Sequence, residues 1–289
     1  MIRRYTGMLM MAAVGLALVA SAQASVVVAL DDVNSHATFC LDADDPLTQI
    51  EGLSSWTIDG VERMQEQWFW FRLGDSGPER RISDLTYEYH AAIDLNGDPG
   101  DDTMYVRYGG EGLKVELTVQ LVGGSDGSGK SDLAETIRIT NTSTQTMDLN
   151  FFQYANFDLS DDADTVVISG DGPGVPGNTV YQMGDGAWVA ETVVTRSGGT
   201  LAHHQAGLKD GSDVNDILKA LTDGDADDLT DATGPLNGDA VWGFQWEAEL
   251  APGDTLIISK DKNIVPEPAT MMLMGTGAGL ALLVRRRRR

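Results

Sequence analysis

The chain has a single cysteine, Cys40, among 289 residues. No internal disulfide can form, and a domain of this size does not need one, because its apolar core can be large enough. Cys40 reads as a small buried hydrophobe rather than a nucleophile. Histidine is scarce: only His36, His90, His203 and His204 are present. No H-E-x-x-H occurs, so the familiar zinc-hydrolase helix is excluded. On a strand, adjacent His203 and His204 would point to opposite faces, which argues against a shared metal.

Positive charge is also in short supply. Lysine plus arginine number 20 against 44 aspartates and glutamates, a formal net charge of −24. Arg3, Arg4 and Arg285 to Arg289 lie at the two ends, so the middle of the chain is more acidic still. Nucleic acid and anionic membrane are excluded as electrostatic partners. Divalent cations, basic proteins and neutral or cation-bridged polysaccharide remain. Most of the acids are aspartates among Gly and Asn, which places the charge on turns.

Helical periodicity is nearly absent, and period-two alternation takes its place. Val115, Leu117, Val119 and Leu121 alternate with polar residues, as do Ile137 and Ile139, then Met147, Leu149 and Phe151, then Trp242, Phe244 and Trp246. This is the pattern of half-buried strands between Gly, Asn and Asp turns, about a dozen of them. Trp68-Phe69-Trp70-Phe71 is apolar on both faces, as a covered central strand would be. One short helix is expected where Val214, Ile217, Leu218 and Leu221 follow helical spacing, with Ser212 or Asp213 as N-cap. The expected fold is all-β: a large antiparallel β-sandwich with one short helix.

The ends specify export. Arg3 and Arg4 precede an apolar run, Met8 to Ala20, and then Ala22-Gln23-Ala24. This is a secretory signal peptide, with Ala22 and Ala24 as the small residues of the cleavage site and Ser25 as the mature N-terminus. At the other end Val265-Pro266-Glu267-Pro268-Ala269-Thr270 leads into an apolar run to Val284 and five arginines. From Ala269 the run is about 16 residues, or roughly 24 Å of helix. Snorkelling arginines and local thinning let it span the bilayer as a transmembrane helix. Gly275, Gly277 and Gly279 suit it to close helix contact. The arginines fix the C-terminus in the cytoplasm. Three parts follow: residues 1–24 as signal peptide, 25–264 as the β-sandwich domain, and 265–289 as a tail.

The order of tripeptide, apolar segment and basic stop resembles the PEP-CTERM sorting signal of Gram-negative bacteria. The resemblance covers only the tail. It implies that Pro266, Glu267 and Pro268 are read by the membrane enzyme exosortase, after passage through the general secretion machinery and a transient stay in the inner membrane. Cleavage near the tripeptide would then leave the protein at the cell surface or outside the cell. Proteins of this class occur in bacteria that make exopolysaccharide, so a biofilm or matrix role is implied, with exopolysaccharide as a partner.

Three internal features invite sharper readings. Gly124 to Ser131 matches the phosphate-loop pattern G-x4-G-K-S, but the residues after Leu133 alternate as a strand, where a P-loop needs a helix. A flexible hairpin loop is the expectation. Two acidic loops have the alternating oxygens that Ca2+ uses: Asp94, Asn96, Asp98 and Asp102, and Asp223, Asp225, Asp227 and Asp231. Neither has the Gly and Glu that complete an EF-hand, and a solvated acidic turn is the plainer reading. Trp242, Phe244 and Trp246 form a stripe that would stack on sugar rings if exposed and would be core if covered; Trp68 and Trp70 pose the same choice. No catalytic constellation stands out among so many carboxylates. The expectation is a non-enzymatic surface or matrix protein, with a carbohydrate-binding module and a secreted polysaccharide-active enzyme as the alternatives.

Overall fold

The computed structural model describes residues 25–43, 50–159, 164–169, 177–184, 186–212 and 215–267. Ala22, Ala24, Pro268, the apolar tail and its arginines lie outside the described residues. Among those described, no helix is long and apolar enough to cross a membrane.

In chain order the strands are β1 (Val26–Asp32), β2 (Ser35–Asp42), β3 (Gly52–Ile58), β4 (Val61–Glu62), β5 (Met64–Leu73), β6 (Arg80–Arg81), β7 (Thr86–Ile93), β8 (Thr103–Gly110) and β9 (Leu113–Gly123). They continue with β10 (Ser131–Asn141), β11 (Met147–Phe157), β12 (Asp164–Ser169), β13 (Thr179–Gly184), β14 (Ala187–Ser197) and β15 (Thr200–Leu208). Helix α1 (Ile217–Ala220) precedes β16 (Leu236–Gly238), β17 (Ala240–Leu250) and β18 (Thr255–Pro266). The first sheet runs β1-β2-β3-β5-β11-β17-β15, with β4 and β6 at its margins. The second runs β16-β12-β13-β14-β18-β10-β9-β8-β7. The described strand pairs are antiparallel, and the two sheets form a sandwich.

The alternation read from the sequence sets which face is buried. Val115, Leu117, Val119 and Leu121 of β9 and Ile137 and Ile139 of β10 are all at most 1% exposed, facing the other sheet. Each such side chain contributes about 1.5–3 kcal/mol of burial. β5, β11 and β17 are covered on both faces, so Trp68 to Phe71 and Trp242 to Trp246 contain no outward polar position that reaches water. On the outer face Ser83 accepts from Trp68 Nε1 at 3.3 Å, and Ile217 and Leu229 pack over Gly243.

Three expectations need correction. The helix is a single turn capped by Asp216, whose side chain accepts from Lys219 N–H. Ser212 instead caps the preceding turn, accepting from Asn215 N–H at 3.2 Å, while Asp213 and Val214 lie outside the described residues. The turn is short because its task is local: Ile217 and Leu221 plug the outer face over Gly207 and Gly243, where an added Cβ would lie 3.2–3.3 Å from the Ile217 side chain. Second, about a dozen strands were expected; the irregular short pairs β4, β6 and β16 carry no alternation to read. Third, the sandwich does not end at residue 264, because β18 continues through Pro266.

Candidate functional site

Strand register lays out the outer face of the first sheet in rows. Arg72, Asn150, Glu247 and Thr200 form one row; Trp70, Phe152, Gln245 and His203 form the next; Trp68, Tyr154, Gly243 and Gln205 a third. Beyond the first row β11 and β17 place Asp148 directly opposite Glu249. Around these residues lies an open cleft of about 550 Å³. Asp75, Asp148, Glu247 and Glu249 line it, with Asn150, Thr200 and the side-chain-free Gly198 and Gly199. Among the described residues no lysine or arginine does. Like charges directly opposite on neighbouring strands cost stability. Here nothing in the lining offsets that cost. The cleft can accept hydrogen bonds from hydroxyl or ammonium groups and repels anions. Asn150 is held in place by donating to Gly74 O at 3.1 Å and accepting from Gln245 Nε2 at 3.3 Å.

Next to the cleft stands a histidine bracketed by carboxylates. His203 Nδ1 is 3.0 Å from Asp231 Oδ2, and its Nε2 is 3.9 Å from Glu247 Oε1. The other Asp231 oxygen accepts from His204 N–H at 3.2 Å. His203 and His204 do face opposite sides of β15, yet both meet Asp231, because the segment holding Asp231 runs along the edge of β15, where Ala206 N–H donates to Ala232 O at 2.7 Å.

In the two acidic loops several carboxylates accept from backbone amides. In the first, Asp94 Oδ1 accepts from the N–H groups of Asn96 and Gly97 at 3.1 and 2.7 Å. Asp102 Oδ2 accepts from Leu95 and Asn96 N–H, both at 3.2 Å. Asn96 Nδ2 donates to Asp32 Oδ1 at 3.0 Å, and Asp98 N–H to Asn96 Oδ1 at 2.9 Å. Partial burial and the neighbouring Asp32 carboxylate push the Asp98 carboxyl upward. In the second loop Arg72 meets Asp228, beside the predicted ligands. Arg72, 4% exposed, pairs with Glu79, donates to Asp227 O at 2.6 Å and to Asp228 Oδ1 at 2.8 Å, and lies over the Phe152 ring. Gln245 Nε2 also donates to Asp228 Oδ1, at 2.7 Å. Burial pushes the Asp228 carboxyl up, but Arg72 and Gln245 outweigh it and hold it low. Asp223 accepts from Asp225 N–H, and Asp231 serves His203. Among the described residues no group of three or more His, Cys, Asp or Glu side chains is arranged to hold a metal ion. Asp94, Asp102 and Asp223 accept from backbone amides, whereas Asp98 Oδ1 is buried without a hydrogen-bond partner among the described residues.

The phosphate-loop pattern resolves the same way. Gly124 to Lys130 joins β9 to β10 as a hairpin loop. Its amides do form an anion nest, and Asp59 fills it: Gly127 N–H donates to Oδ1 at 2.7 Å and Gly129 N–H to Oδ2 at 2.8 Å. Those bonds hold the Asp59 carboxyl below its usual range. Gly123 to Gly127 also spells G-x-S-x-G around Ser125, but a hairpin is not the strand-to-helix turn that pattern needs.

The aromatic stripe is core. Trp242, Phe244 and Trp246 are each 0% exposed and face the second sheet, so they present no surface to a sugar ring, and the stacking expectation is corrected. Trp68 and Trp70 are 1% exposed. Trp242 Nε1 donates to Glu191 Oε2 at 2.9 Å. That bond leads to a group the sequence reading passed over. Glu135 on β10, Glu191 on β14 and Lys260 and Lys262 on β18 are fully buried between the sheets. Glu135 Oε2 is 2.5 Å from both lysine Nζ atoms, and Lys260 Nζ is 3.1 Å from Glu191 Oε1. Gln153 donates to both Glu191 oxygens at 2.9 Å, and Lys260 lies over the Phe69 ring. Burial pushes the Glu135 carboxyl up, but the two ammonium groups outweigh it and hold it at about 2. Burial depresses the Lys262 ammonium, whereas Lys260 is held high by Glu135 and Glu191 against the same burial.

Comparison with known proteins adds the following. Residues 265–289 match the PEP-CTERM protein-sorting motif. The tail is therefore the sorting signal of an exported, exosortase-sorted protein of the Gram-negative envelope or surface. No curated protein matches the chain. Among solved structures the chain is similar to a putative aldose 1-epimerase from Escherichia coli K12, at 9% identity and a TM-score of 0.48, over 83% of this chain and 99% of that one. It is similar to a galactose mutarotase-like protein from Lactobacillus casei, at 10% identity and 0.40, over 83% and 100%. A family GH92 α-mannosidase from Bacteroides thetaiotaomicron matches at 11% identity and 0.33, over 73% of this chain and 26% of that one. At such identities and TM-scores below 0.5, these likenesses carry no argument about activity.

Proposed function

We propose that this chain is a surface or extracellular-matrix protein that holds polysaccharide in the acid-lined cleft. The observation that carries the reading is the carboxylate group on the outer face: Asp148 opposite Glu249, with Asp75 and Glu247 beside them and, among the described residues, no lysine or arginine in the lining. A sheet that bears like charges face to face gives up stability. The return is a surface that accepts hydrogen bonds from sugar hydroxyls or from the ammonium of an amino sugar. Glycans carrying carboxylate or phosphate are repelled by the same charges. The sorting tail supports a site of action outside the cell, where exopolysaccharide is the polyhydroxylated material at hand. Affinity electrophoresis through gels holding a neutral glucan, an amino-sugar polymer or a polyuronate tests this. Retardation by the first two and not the third is expected; retardation by polyuronate alone would refute the assignment.

A second reading, a secreted polysaccharide-active enzyme, is favoured by one observation: His203 stands between Asp231 and Glu247 at the rim of the cleft. A carboxylate that orients imidazole beside a second carboxylate is an arrangement able to move protons at a bound sugar. Turnover of any oligosaccharide in a panel, lost in both His203→Gln and Glu247→Gln, would put this reading first. Binding without turnover leaves the first in place.

A further inference from the structure

The last strand carries part of the sorting motif. Val265 pairs with Trp188 and Pro266 with Ala187 across β14. The Glu267 N–H then donates to Gly186 O at 3.0 Å, extending the ladder by one bond. On the other side, the Pro266 ring lies 3.5 Å from where a Cβ on Gly129 would stand, so the β9–β10 hairpin shoulders it. A proline fits at this point because it sits at the strand's end, where a missing N–H costs no central ladder bond. β18 itself is not an edge strand: it lies between β14 and β10 and carries Ile264, Lys262 and Lys260 into the core.

We infer that Val265, Pro266 and Glu267 belong to the folded sandwich, so that the processing cut falls on the C-terminal side of Glu267. The inference rests on the exosortase sorting of this tail. The bond that breaks is the peptide bond after Glu267 or a later one. Its carbonyl carbon is passed to water or to an amine acceptor, and its nitrogen leaves, with a proton, as the new amine end of the tail. A cut before Pro266 would instead strip paired residues from an interior strand. The enzyme meets the first two residues of the tripeptide already extended and docked on the sandwich.

Two readouts test this. The intact mass of the protein released by exosortase-bearing cells should correspond to a C-terminus at Glu267 or beyond; a mature chain ending at Ile264, Val265 or Pro266 would overturn the inference. In the unprocessed full-length chain in detergent, hydrogen exchange at the Glu267 amide should be slowed at least tenfold relative to an unstructured peptide of the same sequence. Exchange at the unstructured rate would overturn it independently. A chain left uncut in such cells would count against exosortase sorting, and the exchange readout would then decide the β18 assignment by itself.

Discussion

Two groups of carboxylates in this molecule are treated in opposite ways. Between the sheets, Glu135 and Glu191 are matched by Lys260 and Lys262, and Gln153 and Trp242 donate to Glu191. On the outer face Asp75, Asp148, Glu247 and Glu249 share a cleft that no lysine or arginine among the described residues lines. Burial explains the difference. An unpaired charge cannot persist in a dry interior, so every inner carboxylate must bring its partner. At a wet surface repulsion is screened and cheap, and carboxylates can be left uncompensated. The inner group is therefore structural, and the outer group is where the chain has room for a ligand.

Breaking the inner group should have the largest effect. Lys260→Met leaves Glu135 and Glu191 short of a cation and should cost about 3–5 kcal/mol, read as a lower urea midpoint. The pH dependence has a defined sign. Glu135 is held at about 2 in the fold, below its unfolded range of about 4.3. Its contribution is fully present above that range and is lost as pH falls towards about 2. Wild-type stability should decline through this window, and Glu135→Gln should flatten the decline.

Next comes Arg72, which joins the outer face to its covering loop. Arg72→Met strands the buried Glu79 carboxylate and frees Asp228, and should cost about 3 kcal/mol. Limited proteolysis should then cut first within residues 223–231; an unchanged cleavage map would show that the loop is held by other means. The outer group should respond with the opposite sign. Asp148→Asn relieves the repulsion with Glu249 and should raise stability by about 0.2–1 kcal/mol, while weakening glycan retention. A variant that loses stability as well would mean the pair is structural after all. Asp59→Ala should have the smallest effect, a slight fall in melting midpoint with faster amide exchange at Gly127 and Gly129. Because Asp59 is held low by those amides, its contribution is present above the unfolded carboxylate range and fades as pH falls below it.

Much of the sandwich was legible because alternation is a direct consequence of strand geometry. β9, β10 and β17 could be placed from Val115, Ile137 and Trp242 and their neighbours. The same alternation held an unread signal. Lys260 and Lys262 fall in phase with Ile258 and Ile264, Glu135 with Leu133 and Ile137, and Glu191 with Val189 and Val193. Charges in the apolar phase of three strands point to a buried ionic group, although only the register shows that they meet. The cleft was not legible, since it arises from Asp148 and Glu249 becoming opposite across strands about a hundred residues apart. The partners of the acidic loops were not legible either, because side-chain oxygens look alike in sequence whether they face a cation, a backbone amide or an arginine. The tail was plain because its signal is linear.

The most direct test of the cleft is calorimetric titration of residues 25–267 with neutral, amino-bearing and uronate oligosaccharides, repeated with the Asp148→Asn, Glu249→Gln double variant. Saturable binding of the neutral or amino-bearing oligomer, no binding of the uronate, and at least a tenfold loss in a variant that remains folded is the predicted result. Wild-type protein that binds none of them, or a double variant that binds as well as wild type, would contradict the account.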